Sequence, residues 1–274
     1  MPEGPEVHII RDQLNELLVG KYILEIYVST NSKYRNEYPK YSKTKLYILD
    51  IECKGKQLFI KCSQLNSIVY INIRLGMEGK ILLEKGDHSD ICFCIGSIAK
   101  TLRIHRLKIY FDDSRHFGSI EFLDINKYKN KIESIGPDLL TDDIDIVEWH
   151  NSVTKKTRKN MQICKFLMEQ KYFSGIGNYL KAEILYASKI RPDRSLSSLS
   201  DLDIKNILLN ATRLIKESYL SNGLTIRSYV DMNNNPGIFI YKVYNNTKDP
   251  FGNIIVKQTF KDNRTTHWVP NIQV

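Results

Sequence analysis

The spacing of apolar residues changes period along this chain, and no single repeating architecture accommodates the change. Val7, Ile10, Leu14, Leu17 and Leu18 recur at helical spacing behind Pro5, and Gly20 stops them, so residues 5–19 read as an amphipathic helix. From Tyr22 to about Leu123 short β-rich segments take over, among them Lys45–Ile51, Gln57–Cys62, Ser67–Ile73, Ile91–Cys94 and Leu107–Phe111. They predict an antiparallel sandwich or barrel. Residues 126–145 are polar and hold Gly136-Pro137-Asp138, which marks a linker. Helical patterns follow at 147–155, 160–170, 178–188 and 201–221, the last opened by Ser200 and Asp203 in capping-box spacing. Beyond Ile238 the pattern returns to β, at Phe239–Tyr244, Ile254–Phe260 and Thr265–Val269, with Asp249-Pro250-Phe251-Gly252 as a turn. The expectation is an α+β chain: a strand-rich domain over residues 1–125, a linker over 126–145, a helical domain over 146–237 and a β hairpin over 238–274.

With 274 residues and 42% hydrophobic content the chain can bury the cores of two domains. Lys plus Arg number 40 against 31 Asp plus Glu, a net charge of +9 that favours a polyanionic partner, although an ordinary solvated surface can carry the same excess. No apolar run reaches the roughly 18 residues of a membrane span, and the acidic, proline-bearing start is unlike a signal peptide. A soluble intracellular monomer is expected, in nucleus or cytoplasm. The five cysteines, Cys53, Cys62, Cys92, Cys94 and Cys164, are odd in number and scattered, so they read as reduced core thiols.

Three short stretches carry chemistry. Residues 1–6 read Met-Pro-Glu-Gly-Pro-Glu, and loss of Met1 would leave the secondary amine of Pro2 beside the carboxylate of Glu3. An α-amino group titrates near pH 8, so a useful fraction is neutral and can attack a sugar aldehyde carbon. The resulting iminium acidifies the neighbouring C–H and opens a route to phosphate elimination. The same residues could simply open a helix, with Pro in the first turn and Glu3 and Glu6 favoured by the helix dipole. Ser174-Gly175-Ile176-Gly177-Asn178 falls between two helical patterns, where the next helix would offer unpaired N–H groups to an anion, most simply a phosphate; packing alone is the other explanation. Lys56, in Gly55-Lys56-Gln57-Leu58-Phe59, is either an active lysine or an exposed turn residue. Between Asn31 and Lys45 tyrosines alternate with basic residues, as in a solvated loop or hairpin.

Together these motifs resemble the formamidopyrimidine-DNA glycosylase and endonuclease VIII family, which excises oxidised bases from DNA. The opening matches the family's PEGPE start, Lys56 its GK-hydrophobic strand, and Ser174–Ile184 its helix-two-turn-helix signature, so the likeness covers nearly the whole chain. It implies an N-terminal β-sandwich and a helical helix-two-turn-helix domain ending in a finger. It also implies a glycosylase and abasic-site lyase acting by β,δ-elimination on damaged duplex DNA, with single-stranded DNA as a further candidate and no cofactor. Pro2 would form the Schiff base with C1′, Glu3 would move protons, Glu6 would orient the chemistry, and Lys56 would bridge phosphate and sugar. Leu75-Gly76-Met77 and Asp113–Gly118 match the segments that fill the hole left by a flipped base, giving Met77, Arg115 and Phe117. Arg74, which stands where relatives usually carry histidine, together with His88, Lys159 and Asn178, would contact DNA.

The departure from the family pattern lies at the end. Residues 263–273 resemble the family's GRTTFYCPxCQ finger ending without its cysteines, and no cysteine follows Cys164. His267 alone cannot supply a four-ligand zinc site, so a zincless finger is expected, with Trp268, Val269 and Ile272 replacing the metal and Arg264 gripping phosphates. For lesion choice the resemblance is divided. The zincless finger points to oxidised pyrimidines, while Thr225–Tyr229 with Asn235-Pro236-Gly237 resembles a loop that covers oxidised purines. Two other classes compete: a damaged-DNA-binding protein of the same fold without catalysis, and a general basic nucleic-acid binder.

Overall fold

The computed structural model describes residues 2–29, 45–65, 67–97, 107–225 and 229–274. The basic, tyrosine-rich segment after Asn31 lies outside them, apart from Lys45. Two compact units emerge, one of Met1–Pro2, Glu6–Glu133 and Asn222–Ile238, the other of Glu3–Pro5, Ser134–Ser221 and Phe239–Val274. Residues 222–238 thus group with the strand-rich part, whereas the sequence pattern assigned them to the helical domain.

In the first unit, helix α1 (Gly4–Leu18), which belongs to it from Glu6 onward, precedes eight strands: β1 (Tyr22–Val28), β2 (Leu46–Lys54), β3 (Gln57–Gln64), β4 (Ser67–Arg74), β5 (Lys80–Leu82), β6 (Ser89–Gly96), β7 (Leu107–Asp112) and β8 (Ser119–Leu123). They form one antiparallel sheet in the order β5-β7-β6-β1-β2-β3-β4-β8. In a flat sheet β6 and β4 would be about 19 Å apart, four strand spacings. Yet Ile60 of β3 and Ile73 of β4 line the same apolar cavity as Phe93 of β6 and Phe111 of β7. The sheet therefore folds over itself into two layers. Register shifts at Ile23/Glu25, Ile48/Asp50 and Ser89/Ile91 supply the bulges that bend such strands, and Leu14 and Leu18 of α1 join the same core.

The stretch expected to be a linker holds a helix, α2 (Ile125–Glu133). Its cause is aromatic packing on the outer face of the sheet: Tyr128 stacks on Tyr70 at 3.7 Å and meets Phe59 edge-on at 5.4 Å. Its hydroxyl donates to Glu52 Oε2 at 2.6 Å, and burial with the Glu52 charge pushes the phenol pKa up.

The second unit contains α3 (Ile146–Thr154), α4 (Ile163–Met168), α5 (Asn178–Ala187), α6 (Asp201–Leu220) and a hairpin of β9 (Val256–Thr259) and β10 (Thr265–Trp268). The α6 capping box forms as its sequence predicts, Asp203 N–H donating to Ser200 Oγ at 3.2 Å and Ser200 N–H to Asp203 Oδ2 at 3.0 Å. Helix α5 is different, since every residue from Tyr179 to Tyr186 is buried, Lys181 and Glu183 included. The strand expected at Phe239–Tyr244 does not form. The N–H groups of Lys242, Val243 and Tyr244 donate to the Glu183 carboxylate at 3.0, 2.9 and 2.8 Å, so they are unavailable to a ladder. No helix among the described residues is long and apolar enough to cross a membrane.

Candidate active site

The first turn of α5 leaves backbone N–H groups without helical acceptors. The Glu3 carboxylate takes them: Gly177 N–H donates to Oε2 at 2.6 Å, Tyr179 to Oε1 at 2.9 Å and Leu180 to Oε2 at 3.3 Å. These first-turn amides, which the sequence pattern offered to a phosphate, are thus taken by the protein's own carboxylate. The turn is braced by Gln170, whose Oε1 accepts from Gly175 N–H at 3.1 Å and whose Nε2 donates to the Ile176 carbonyl at 2.8 Å. Gly4 N–H donates to the Gly175 carbonyl at 2.8 Å, and a Cβ on Gly4 would meet the Gly175 Cα at 2.8 Å. Close backbone approach thus explains the glycine in the opening motif.

Asn178 donates through Nδ2 to the Thr265 carbonyl at 2.9 Å, which ties α5 to the residue after Arg264. A side-chain amide has a second N–H to offer. Arg264 is exposed in the hairpin turn, its backbone N–H held by Asp262 Oδ1 at 3.1 Å. Glu3, Asn178 and Arg264 are therefore gathered around one helix end. Lys159 is exposed further off, beside Lys156, Lys165 and Lys261 in a basic groove.

In the first unit Pro2 is buried, and Lys56 is half-buried in the two-residue turn between β2 and β3. Glu6 is fully buried; a Cβ on Gly223 would lie 3.0 Å from its Cγ, and burial with the Glu6 and Asp231 charges lifts the Tyr229 phenol pKa. Gly76, at φ +66°, brings two loops into backbone contact, since a Cβ there would lie 2.6 Å from Gly118 N. The first loop carries Met77, half-buried, and the second carries Arg115 and Phe117, both exposed. Asp113 folds the second loop by accepting from Arg115 N–H at 3.2 Å and Gly118 N–H at 2.6 Å. The Arg115 guanidinium lies 4.9 Å from the Phe117 ring centroid and 3.8 Å from Glu78. Arg74 points its Nε at Ser119 Oγ, 2.8 Å away. His88 is exposed, with its backbone fixed by Asp112 Oδ2 at 2.9 Å. Gln170 and Asp113 were not singled out by motif; a Gln or Asp at the edge of a glycine-bearing turn is the only signal available.

The N-terminal domain profile of formamidopyrimidine-DNA glycosylase matches residues 1–120, its H2TH domain residues 135–230 and its C-terminal domain residues 230–274. The chain belongs to the formamidopyrimidine-DNA glycosylase family. A Listeria monocytogenes member is 31% identical over 288 residues and one from Carboxydothermus hydrogenoformans 27% over 286, each alignment spanning 100% of both chains. The fold is also that of Lactococcus lactis Fpg in complex with abasic-site DNA, at TM-score 0.84, 23% identity and 99% of each chain. Thermus thermophilus Fpg superposes at TM-score 0.82 and 23% identity, over 99% of this chain and 98% of that one.

The finger of this family member does not fit zinc. Val269 and Ile272, where the family pattern has cysteine, pack with Ala182, Tyr186, Val243, Ile255 and Tyr244. The Asp249 carboxylate closes one turn by accepting from Phe251 and Asn253 N–H at 2.9 and 2.8 Å and from the Tyr186 hydroxyl at 3.0 Å. Gln273 closes the other, accepting from Val269 N–H at 2.7 Å and donating to the Ile190 carbonyl at 2.9 Å. His267, buried edge-on to Tyr244 at 5.0 Å, is one nitrogen donor where a zinc site takes four ligands.

Proposed function

We propose that this protein is a bifunctional DNA glycosylase and abasic-site lyase of base excision repair, acting on oxidised bases in duplex DNA. The observation that carries the reading is the clamped Glu3: the residue joined to Pro2 has its carboxylate fixed by three N–H donors, so the chain start has one defined position. With Met1 removed, the Pro2 lone pair attacks C1′ while the base departs with its bonding pair; the proton shed by the new ammonium is taken by the Glu3 carboxylate and passed to the departing base, and the nitrogen lone pair then expels O4′, which takes a proton from water as the sugar opens to the iminium. The cationic iminium acidifies C2′–H. Loss of that proton expels the 3′ phosphate, a second elimination expels the 5′ phosphate, and water releases the sugar fragment and restores the amine.

Glu6 orients this chemistry, and Lys56 bridges phosphate and sugar. Asn178 and Arg264 hold phosphates at the α5 end, and Arg264 assists the second elimination. Met77, Arg115 and Phe117 fill the space of the flipped nucleotide, an apolar wedge beside a guanidinium. Arg74, His88 and Lys159 add backbone contacts. The substrate class is oxidised bases generally, and the location is intracellular.

Borohydride trapping on an abasic duplex tests the assignment. A covalent adduct is expected with the free Pro2 amine and none when a residue retained ahead of Pro2 turns it into an amide. Tight binding of the abasic duplex with no adduct would make the protein a non-catalytic damage-binding member of the family.

A further inference from the structure

Helix α5 buries a lysine completely, and nothing in the chemistry above uses it. Lys181 Nζ forms an ion pair with Asp262 Oδ2, the two side chains being 0% and 2% exposed. Replacing such a pair by apolar side chains is often neutral or stabilising, so stability alone does not account for it. What the pair touches does. The other oxygen of Asp262 accepts from the backbone N–H of Arg264 at 3.1 Å. The turn around it is closed by Asn263 N–H donating to the Phe260 carbonyl at 2.9 Å, with Asn263 at φ +55°. Two further bonds pin the same turn, Lys261 N–H to Gln162 Oε1 at 3.0 Å and Asn178 Nδ2 to the Thr265 carbonyl at 2.9 Å. Among these anchors only Lys181 reaches, through one shared carboxylate, the backbone of Arg264 itself. Among the described residues the Arg264 guanidinium has no ion-pair partner.

We propose that Lys181 is a positioning residue for Arg264: through Asp262 it fixes the hairpin turn on α5 so that the guanidinium is presented beside Asn178 to a DNA phosphate. This rests on the reading of Arg264 as a phosphate contact. A metal-free finger needs such a device, because its turn is otherwise a short hairpin tip with its ends held by two strands of four residues. One carboxylate serving two partners converts a salt bridge into a fixed backbone position.

The experiment uses the full chain with a free Pro2 and compares Lys181→Met, Lys181→Met/Asp262→Leu, Lys181→Arg and Arg264→Ala. Each is measured for abasic-duplex affinity across salt, for single-turnover cleavage and for Tm. Displacement of a positioned group costs up to about 100-fold in rate, and loss of one phosphate contact lowers the salt slope by about 0.9. The double variant, which leaves no charge buried alone, is expected to fold with near wild-type Tm and still show both losses. Adding Arg264→Ala to it is expected to cost nothing more, and Lys181→Arg to recover part of the activity. A double variant with wild-type cleavage and salt slope would overturn the proposal while leaving the role of Arg264 intact, as would losses that add fully to those of Arg264→Ala. Undiminished binding and cleavage by Arg264→Ala itself would overturn the phosphate reading and the positioning role with it.

Discussion

Two turns of the second unit face the same task and solve it differently. The glycine turn at residues 174–177 adds close backbone approach to its side-chain caps: three N–H groups converge on Glu3, Gln170 braces the turn, and Gly4 and Gly175 approach within a distance only glycine allows. The finger is closed by side chains, with Asp249 and Gln273 capping its turns and Asp262 holding its tip. Close backbone approach depends on glycine, so it leaves a short motif in the sequence. Side-chain caps can be built from many residue combinations, so Asp249-Pro250-Phe251-Gly252 shows a turn in the sequence but not the partners that close it.

The contrast is sharpest under substitution. Glu3→Gln keeps the shape but removes the charge and one acceptor from the α5 end; about 2–3 kcal/mol of stability is expected to go. Abasic-site cleavage should fall by about 100-fold or more, as for loss of a positioned proton carrier, measured by single-turnover assay and urea unfolding. A stable, fully active Glu3→Gln protein would break the comparison at its stronger end. Gly4→Ala forces a methyl against the Gly175 backbone and should cost about 1–3 kcal/mol, the usual range for overpacking, read as a lowered urea midpoint at unchanged slope.

The finger should yield more gradually. Asp249→Ala removes the acceptor for two amides and the Tyr186 hydroxyl, a loss of about 1–2 kcal/mol because part of that turn can rehydrate. Burial opposes ionisation of Asp249, but donors from Asn253, Tyr186 and Phe251 outweigh it and hold the carboxyl below the usual carboxylate range. Its folded pKa being lowered, its contribution is present above the unfolded value near 3.9 and fades as pH falls through the folded value. The Tyr186 phenol, buried against that charge, is pushed up to about 12.

His267→Phe is expected to have the smallest effect. Among the described residues both imidazole nitrogens are buried without hydrogen-bond partners, and burial, then Lys257 and Lys181, lower the pKa of the ring. Below about pH 6.5 the unfolded chain therefore takes up a proton that the folded ring refuses, and stability declines as pH falls through the folded value. Phenylalanine removes that decline and should leave Tm at pH 8 within a few degrees, under about 1 kcal/mol. A variant whose Tm still drops with pH as the parent's does would assign the acid sensitivity elsewhere.

Residue by residue, what was legible follows the same division. The alternating segments gave β2, β3, β4, β6 and β7 within a few residues, and the Ser200–Asp203 spacing gave the α6 cap, because in each case local chemistry and tertiary packing agree. The helical character of residues 125–133 was hidden in a polar stretch, since Tyr128 is the anchor and its aromatic partners are distant in sequence. Phe239–Tyr244 looked like a strand until Glu183, about sixty residues earlier, took its amides. Among site residues, motif singles out Glu3 and Asn178, but Glu3 reads as belonging to the first helix, since its partners at Gly177, Tyr179 and Leu180 lie 174 to 177 residues away. Lys181 and Asp262 could not be paired from sequence, because a charged residue inside a buried helix looks like one on a solvated face until its partner is known.

The thiol-free finger has a redox consequence. Zinc-bound cysteine sulfur is open to the oxidants that damage DNA bases, and its oxidation would release both metal and fold. Here the last cysteine is Cys164, buried before α5, and the residues that close the finger are a carboxylate, an amide and aliphatic carbon. The finger itself therefore offers no sulfur to the oxidants that damage bases, and the nearest thiol, Cys164, is buried beneath it, donating to the Gln162 Oε1 that also holds Lys261.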